Sequence, residues 1–118
     1  MMSEFVDNLS EVFALFGPVR AKRMFGGYGI YHADFMFALV EDDVLYLKAD
    51  EQSVAAFTRQ GLQPFEYEKD NKTIKLSYYM APEEIFDEPE TAREWAVLAF
   101  EAALRCRKPK RKTTSKRK

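Results

Sequence analysis

The sequence predicts an α+β domain of two layers, arranged α-β(3)-α-β(2)-α, with one five-stranded antiparallel sheet and helices on one side. Three observations predict it. The apolar period is helical at both ends of the chain. Between those ends it shortens to two. The strand-like runs are joined by turns too short for parallel crossovers, so neighbouring strands must be antiparallel.

Phe5, Leu9, Val12, Phe13 and Phe16 recur at helical spacing, Ser3 can cap the start, and Gly17-Pro18 ends a helix over about residues 3–16. From Val19 the period changes. Tyr28, Ile30 and His32 alternate with Gly27, Gly29 and Tyr31, and His32-Ala33-Asp34 reads as a turn. FMFALV (35–40) is apolar on both faces, as an interior strand is. Glu41-Asp42-Asp43 turns the chain into a third strand, VLYLKA (44–49), completing a meander. Asp50 caps a second helix, EQSVAAFTRQ, that stops at Gly61. Phe65 and Tyr67 alternate with Glu66 and Glu68, Lys69-Asp70-Asn71-Lys72 makes a hairpin, and TIKLSYY (73–79) returns. Pro82-Glu83-Glu84 opens a short helical turn, and Pro89 starts the last helix, which runs to about Arg107. Its apolar stripe holds Ala92, Trp95, Ala96, Ala99, Phe100 and Ala103, widened by Val97, Leu98 and Leu104. So wide a stripe suggests a second contact, such as a homodimer partner.

The 118 residues suit one domain with a full core. No apolar run is long enough to span a membrane. MMSEFVDN lacks the pattern of a signal peptide, and the lone Cys106 cannot form an internal bridge, so a reducing, cytoplasmic setting is expected. The net charge of −1 hides a split. Residues 105–118 carry nine cations and no acid: Arg105, Arg107, Lys108, Lys110, Arg111, Lys112, Lys116, Arg117 and Lys118. Residues 1–104 carry the other nine and all nineteen acids, a net of −10. The chain therefore divides into a folded domain, 1–104, and a basic tail, 105–118, which has nothing apolar to pack and is expected to be disordered in isolation. Such a tail would bind DNA or RNA phosphates without sequence preference and with strong salt dependence.

RMFGGYGIY (23–31) admits two readings. Neither phosphate-loop nor dinucleotide spacing is present, and strand rather than helix follows the glycines. Glycines in a strand mark a bulge or a close approach. The other reading is a groove in which Arg20, Lys22 and Arg23 stand before the glycines and Tyr28 and Tyr31 beside them, as in a single-strand nucleic-acid site. Strand pleat puts Arg20 and Lys22 on one face and Arg23 on the other. One cysteine and one histidine, 74 positions apart, make no metal site, and no serine sits in a nucleophile setting near His32, which reads as a surface or hairpin residue. No metal, cofactor or catalysis is expected.

RMFGGYGIY, FALVEDDVLYLKAD and LSYYMAPEEIFDEPE followed by Trp95 closely resemble, in order and spacing, the N-terminal domain of the TfoX/Sxy proteins, bacterial regulators of competence for DNA uptake. The resemblance covers the chain from the first helix to about Leu104. It implies a two-layer, secretion-chaperone-like fold with a five-stranded sheet, a tendency to dimerise, and a non-enzymatic role connected with transcription. The family's motif positions fall on Arg23, Met24, Phe25, Gly26, Gly27, Gly29, Tyr78, Tyr79, Pro82 and Trp95, none with a catalytic assignment. Competence regulators proper carry a second, C-terminal domain, and this chain reads as a stand-alone short form ending in its basic tail. Three functions are then in competition: a nucleic-acid-associated accessory protein, a dimeric module acting on a transcription or proteolysis partner, and a small-ligand binder using the glycine-rich groove.

Overall fold

The computed structural model describes residues 4–24 and 26–107. The elements are α1 (Glu4–Val12), β1 (Arg20–Met24), β2 (Gly27–His32), β3 (Phe35–Glu41), β4 (Val44–Lys48), α2 (Val54–Thr58), β5 (Pro64–Lys69), β6 (Lys72–Met80), a 3₁₀ turn (Glu83–Phe86) and α3 (Pro89–Arg107). They form the expected α+β architecture around one open antiparallel sheet, ordered β1-β2-β3-β4-β6-β5. The sheet has six strands rather than five. The additional strand, RAKRM, pairs with β2 from Arg20↔Tyr31 to Met24↔Gly27. An edge strand buries little, and only Ala21 and Met24 of these five are apolar, so no period of two showed in the sequence. Gly26, at φ +110, takes a backbone conformation that favours glycine where the chain reverses between these strands.

The β2–β3, β3–β4 and β5–β6 hairpins turn on pairs of left-handed residues: Ala33-Asp34, Asp42-Asp43 and Asp70-Asn71. Such two-residue turns match the right-handed twist of the strands they join. α1 is shorter than its apolar period suggested. Beyond Val12 the chain tightens into turns, with Ala14 N–H bonded to Glu11 O at 3.2 Å and Phe16 N–H to Phe13 O at 3.0 Å. Phe16 is thereby brought against Phe37 and Phe100, at 5.2 and 5.8 Å between ring centroids.

All three helices lie against one face of the sheet, where Leu9, Phe13, Phe37, Leu47, Phe57 and Ile85 are fully buried. α3 presents Ala92, Ala96, Ala99 and Ala103 to this core, and its small side chains let the helix approach the sheet closely. Phe57 anchors α2 between Trp95 and Tyr79, at 5.0 and 5.5 Å. The opposite face carries a smaller cluster of strand residues alone: Leu39, Phe65 and Tyr78, flanked by Met36, Tyr46 and Leu76.

Candidate functional site

The glycine-rich stretch is the β1–β2 hairpin, and its register decides which side chains meet. Arg20 stands opposite Tyr31 and Lys22 opposite Gly29, so both cations reach the Tyr31 ring, at 5.4 and 5.5 Å from its centroid. An exposed cation over a ring stabilises by about 0.5–1 kcal/mol. Arg23 pairs with Tyr28 on the other side, where Tyr28 packs against the helix-side core. A Cβ on Gly27 would collide with the Val40 carbonyl oxygen, and one on Gly29 would fall among the Met24 and Met36 sulfurs and the Tyr31 ring. At Gly27 the neighbouring backbone leaves no room for any side chain, whereas at Gly29 the crowding comes from side chains. Phe25 lies outside the described residues.

The two adjacent tyrosines of β6 part company. Tyr79 faces the helices and packs on Phe57. Tyr78 faces away from them, with the Lys48 ammonium 5.1 Å from its ring centroid. Burial pushes the Tyr78 phenol well above its ordinary pKa, and Cys106 and Tyr31 add to the effect. Tyr46, opposite Met80, packs edge-on against Phe65 at 4.9 Å. Its phenol is raised by burial and then by Glu41 and Asp42. The helix-free face thus carries Tyr31, Tyr46 and Tyr78 with cations beside two of them. Beside Phe65 and Tyr67, a hollow of about 210 Å³ opens between Met24, Met36, Leu39 and Leu76, with Glu41 at its rim.

The end of α3 is tied down. Arg105 donates from Nε to Asp50 Oδ2 at 2.6 Å and from Nη2 to Asp50 Oδ1 at 2.9 Å. Asp50 Oδ1 also accepts from the N–H groups of Gln52 and Ser53, at 3.1 and 3.2 Å, while Ser53 Oγ accepts from the Asp50 N–H at 3.0 Å. This reciprocal cap holds the turn leading into α2. The Arg105 hydrogen bond is the main reason the Asp50 carboxyl is lowered to about 2, and its charge adds to this against the opposing effect of burial. An open groove of about 850 Å³ runs beside the pair, lined among others by Lys48, Lys75, Ser77 and Cys106. Arg105, grouped with the basic tail on sequence, is therefore a cation of the folded body. Arg107 is the last residue of α3. Lys108, Lys110, Arg111, Lys112, Lys116, Arg117 and Lys118, and with them the expected disorder of the tail, lie outside the described residues.

His32, read as a surface or hairpin residue, ends β2 at the β2–β3 hairpin and is half-buried there. Its ring lies 4.5 Å from Phe16 and 5.0 Å from Phe100, and Nδ1 is 2.7 Å from the Pro18 carbonyl oxygen. Among the described residues no group of histidine, cysteine or carboxylate side chains could hold a metal ion, and no helix is long and apolar enough to cross a membrane. Pro82 is buried at the start of the 3₁₀ turn, and Trp95 is part-buried on Phe57. The sequence did not reveal the row of rings on the helix-free face, because the register between strands far apart in the chain is needed to see it.

The chemistry described is spread over the surface of one small α+β domain. The chain belongs to the TfoX N-terminal domain family, whose profile matches residues 11–103, from α1 almost to the end of α3. It is 32% identical over 92 residues to the DNA transformation protein TfoX of Haemophilus influenzae, a match covering 76% of this chain and 42% of that protein. It is 29% identical over 95 residues to protein Sxy of Escherichia coli, covering 80% of this chain and 46% of that one. The chain thus spans less than half the length of each of these two relatives.

Proposed function

We propose that this chain is a non-enzymatic regulatory or accessory protein related to competence, cytoplasmic, which associates with nucleic acid through its basic C-terminal residues. One observation carries the reading: nine cations and no acid in residues 105–118, joined to a body of net charge −10. The family and the printed name of the H. influenzae relative, a DNA transformation protein, support the direction. Arg105 is engaged by Asp50, and the reading assigns the phosphate contacts to the cations from Arg107 onward in the sequence. Contacts of this kind release counterions and carry no sequence information. With about five phosphates contacted, a fourfold rise in salt weakens duplex binding several-hundred-fold. The test is a salt titration of duplex DNA binding by the full chain and by a full-length variant with every Lys and Arg of residues 108–118 changed to Gln. Binding insensitive to salt, or unaffected by neutralisation, refutes the reading.

A second reading, a dimeric module acting on a protein partner of transcription or proteolysis, draws on Val97 and Leu104. These side chains stand two helical turns apart on α3 and remain 39% and 38% exposed. Sedimentation equilibrium near micromolar concentration tests it: a dimer dissociated by Val97→Lys supports it, and a monomer refutes it.

A further inference from the structure

The charges of this acidic body are sorted by face. Cross-strand partners share a face and residues two apart return to it. The register therefore places Arg20, Lys22, Lys48, Lys69 and Lys72 on the side of the sheet away from the helices. Glu41 is the one carboxylate at a strand position on that side, while Glu66 and Glu68 point to the other. The remaining acids among the described residues sit on the helices and in the turns and connecting segments. The same face bears the rings. Tyr31 and Tyr46 are half-buried and Tyr67 is exposed, so each offers part of its surface to solvent, while Phe65 and Tyr78 support them from within. Tyr31 on β2 and Tyr46 on β4 are two strands apart, which is about 10 Å across the sheet.

We infer that this helix-free sheet face is a binding platform for a single-stranded nucleic acid, with unpaired bases stacked on Tyr31, Tyr46 and Tyr67 and phosphates held by Arg20, Lys22 and Lys48. Charge complementarity selects this occupant. Cations set directly beside aromatic rings match a polymer that alternates phosphates with flat π-systems, and such stacking tolerates any base. A duplex hides its base faces and gains nothing from the rings. Arg20 is free to serve: its side chain is 53% exposed, and its contact with the almost fully exposed Asp34, at 3.4 Å, is a weak surface pair. The hollow beside Phe65 gives one base a recess, with the Glu41 carboxylate at its rim to accept from an exocyclic amine.

The inference is independent of the basic C-terminal residues, and the test separates the two. Fluorescence anisotropy compares a labelled mixed-sequence single strand of about 12 nucleotides with a duplex of the same length, using the full-length chain with residues 108–118 neutralised to Gln. The expected result is a preference for the single strand. Tyr31→Leu, which keeps apolar bulk, weakens it roughly tenfold and Tyr31→Phe does not. Arg20→Gln with Lys22→Gln flattens the salt slope by about 1.4. Urea midpoints of the variants confirm that each is folded. Equal affinity for single strand and duplex, no binding by the neutralised chain, or indifference to Tyr31→Leu overturns the inference while leaving the C-terminal reading standing. A dimer dissociated by Tyr67→Lys also overturns it, since a second copy would then cover the face. Single-strand binding that survives neutralisation, with duplex binding unchanged by it, refutes the C-terminal reading alone.

Discussion

Replacing Asp50 with Asn removes one negative charge at the junction of β4, α2 and the end of α3, and leaves an oxygen able to accept the N–H groups of Gln52 and Ser53. The carboxyl lies near 3.8 ordinarily and at about 2 here. Such a shift corresponds to roughly 2.5 kcal/mol at neutral pH. The side chains of Arg105 and Asp50 keep 35% and 23% of their surface in water, and solvent screening reduces the expectation to about 1 kcal/mol. Because the folded pKa lies below the unfolded one, this stabilisation is complete above about pH 4 to 5 and is lost as pH falls towards 2. Urea denaturation of the wild type and Asp50→Asn therefore gives a difference of about 1 kcal/mol at neutral pH, about half of that near pH 3, and almost none near pH 2. Asp50→Ala costs about 1 kcal/mol more, because the cap is lost as well. A wild-type-to-Asn difference that stays constant from neutral pH to pH 2 refutes the argument that the charge pair anchors the end of α3.

Other perturbations have equally direct outcomes. Gly27→Ala forces a methyl group onto the Val40 carbonyl and costs about 1–3 kcal/mol, read as a lowered urea midpoint with unchanged slope; an unchanged midpoint means that the strand can move aside. Phe57→Ala removes a fully buried ring between Trp95 and Tyr79 and costs about 3–5 kcal/mol. His32→Ala opens the space between Phe16 and Phe100 and lowers stability at neutral pH; a stable variant would show that the ring is dispensable packing.

Much of this fold was legible because local chemistry and global structure agree. Asp42-Asp43 and Asp70-Asn71 announce their turns and Pro89 sets the start of α3, whereas Asp50, read as the cap of a helix EQSVAAFTRQ, caps the turn before a shorter α2, Val54–Thr58, whose N-cap is Ser53. RAKRM was not legible, since an exposed edge strand has little apolar pattern to offer. Missing it hid the contact of Arg20 and Lys22 with Tyr31, although the shared face of the two cations was evident from pleat alone. The partner of Asp50 was hidden for another reason: Arg105 lies 55 residues away, and it looked like the start of the basic tail. The ring contacts of His32 were hidden because Phe16 and Phe100, which flank it, come from opposite ends of the chain. The inferred binding face depends throughout on long-range register, whereas turns and caps do not.

We propose that this acidic domain of the TfoX N-terminal family reaches nucleic acid through its basic C-terminal residues. The most direct measurement is the slope of log affinity for duplex DNA against log salt, taken from about 50 to 200 mM for the full chain and for the chain neutralised over residues 108–118. The expected slope is about −4 to −5 for the full chain, with a shallow slope or no binding for the variant. Equal slopes, or no duplex binding by the full chain at the lowest salt, contradict the proposal.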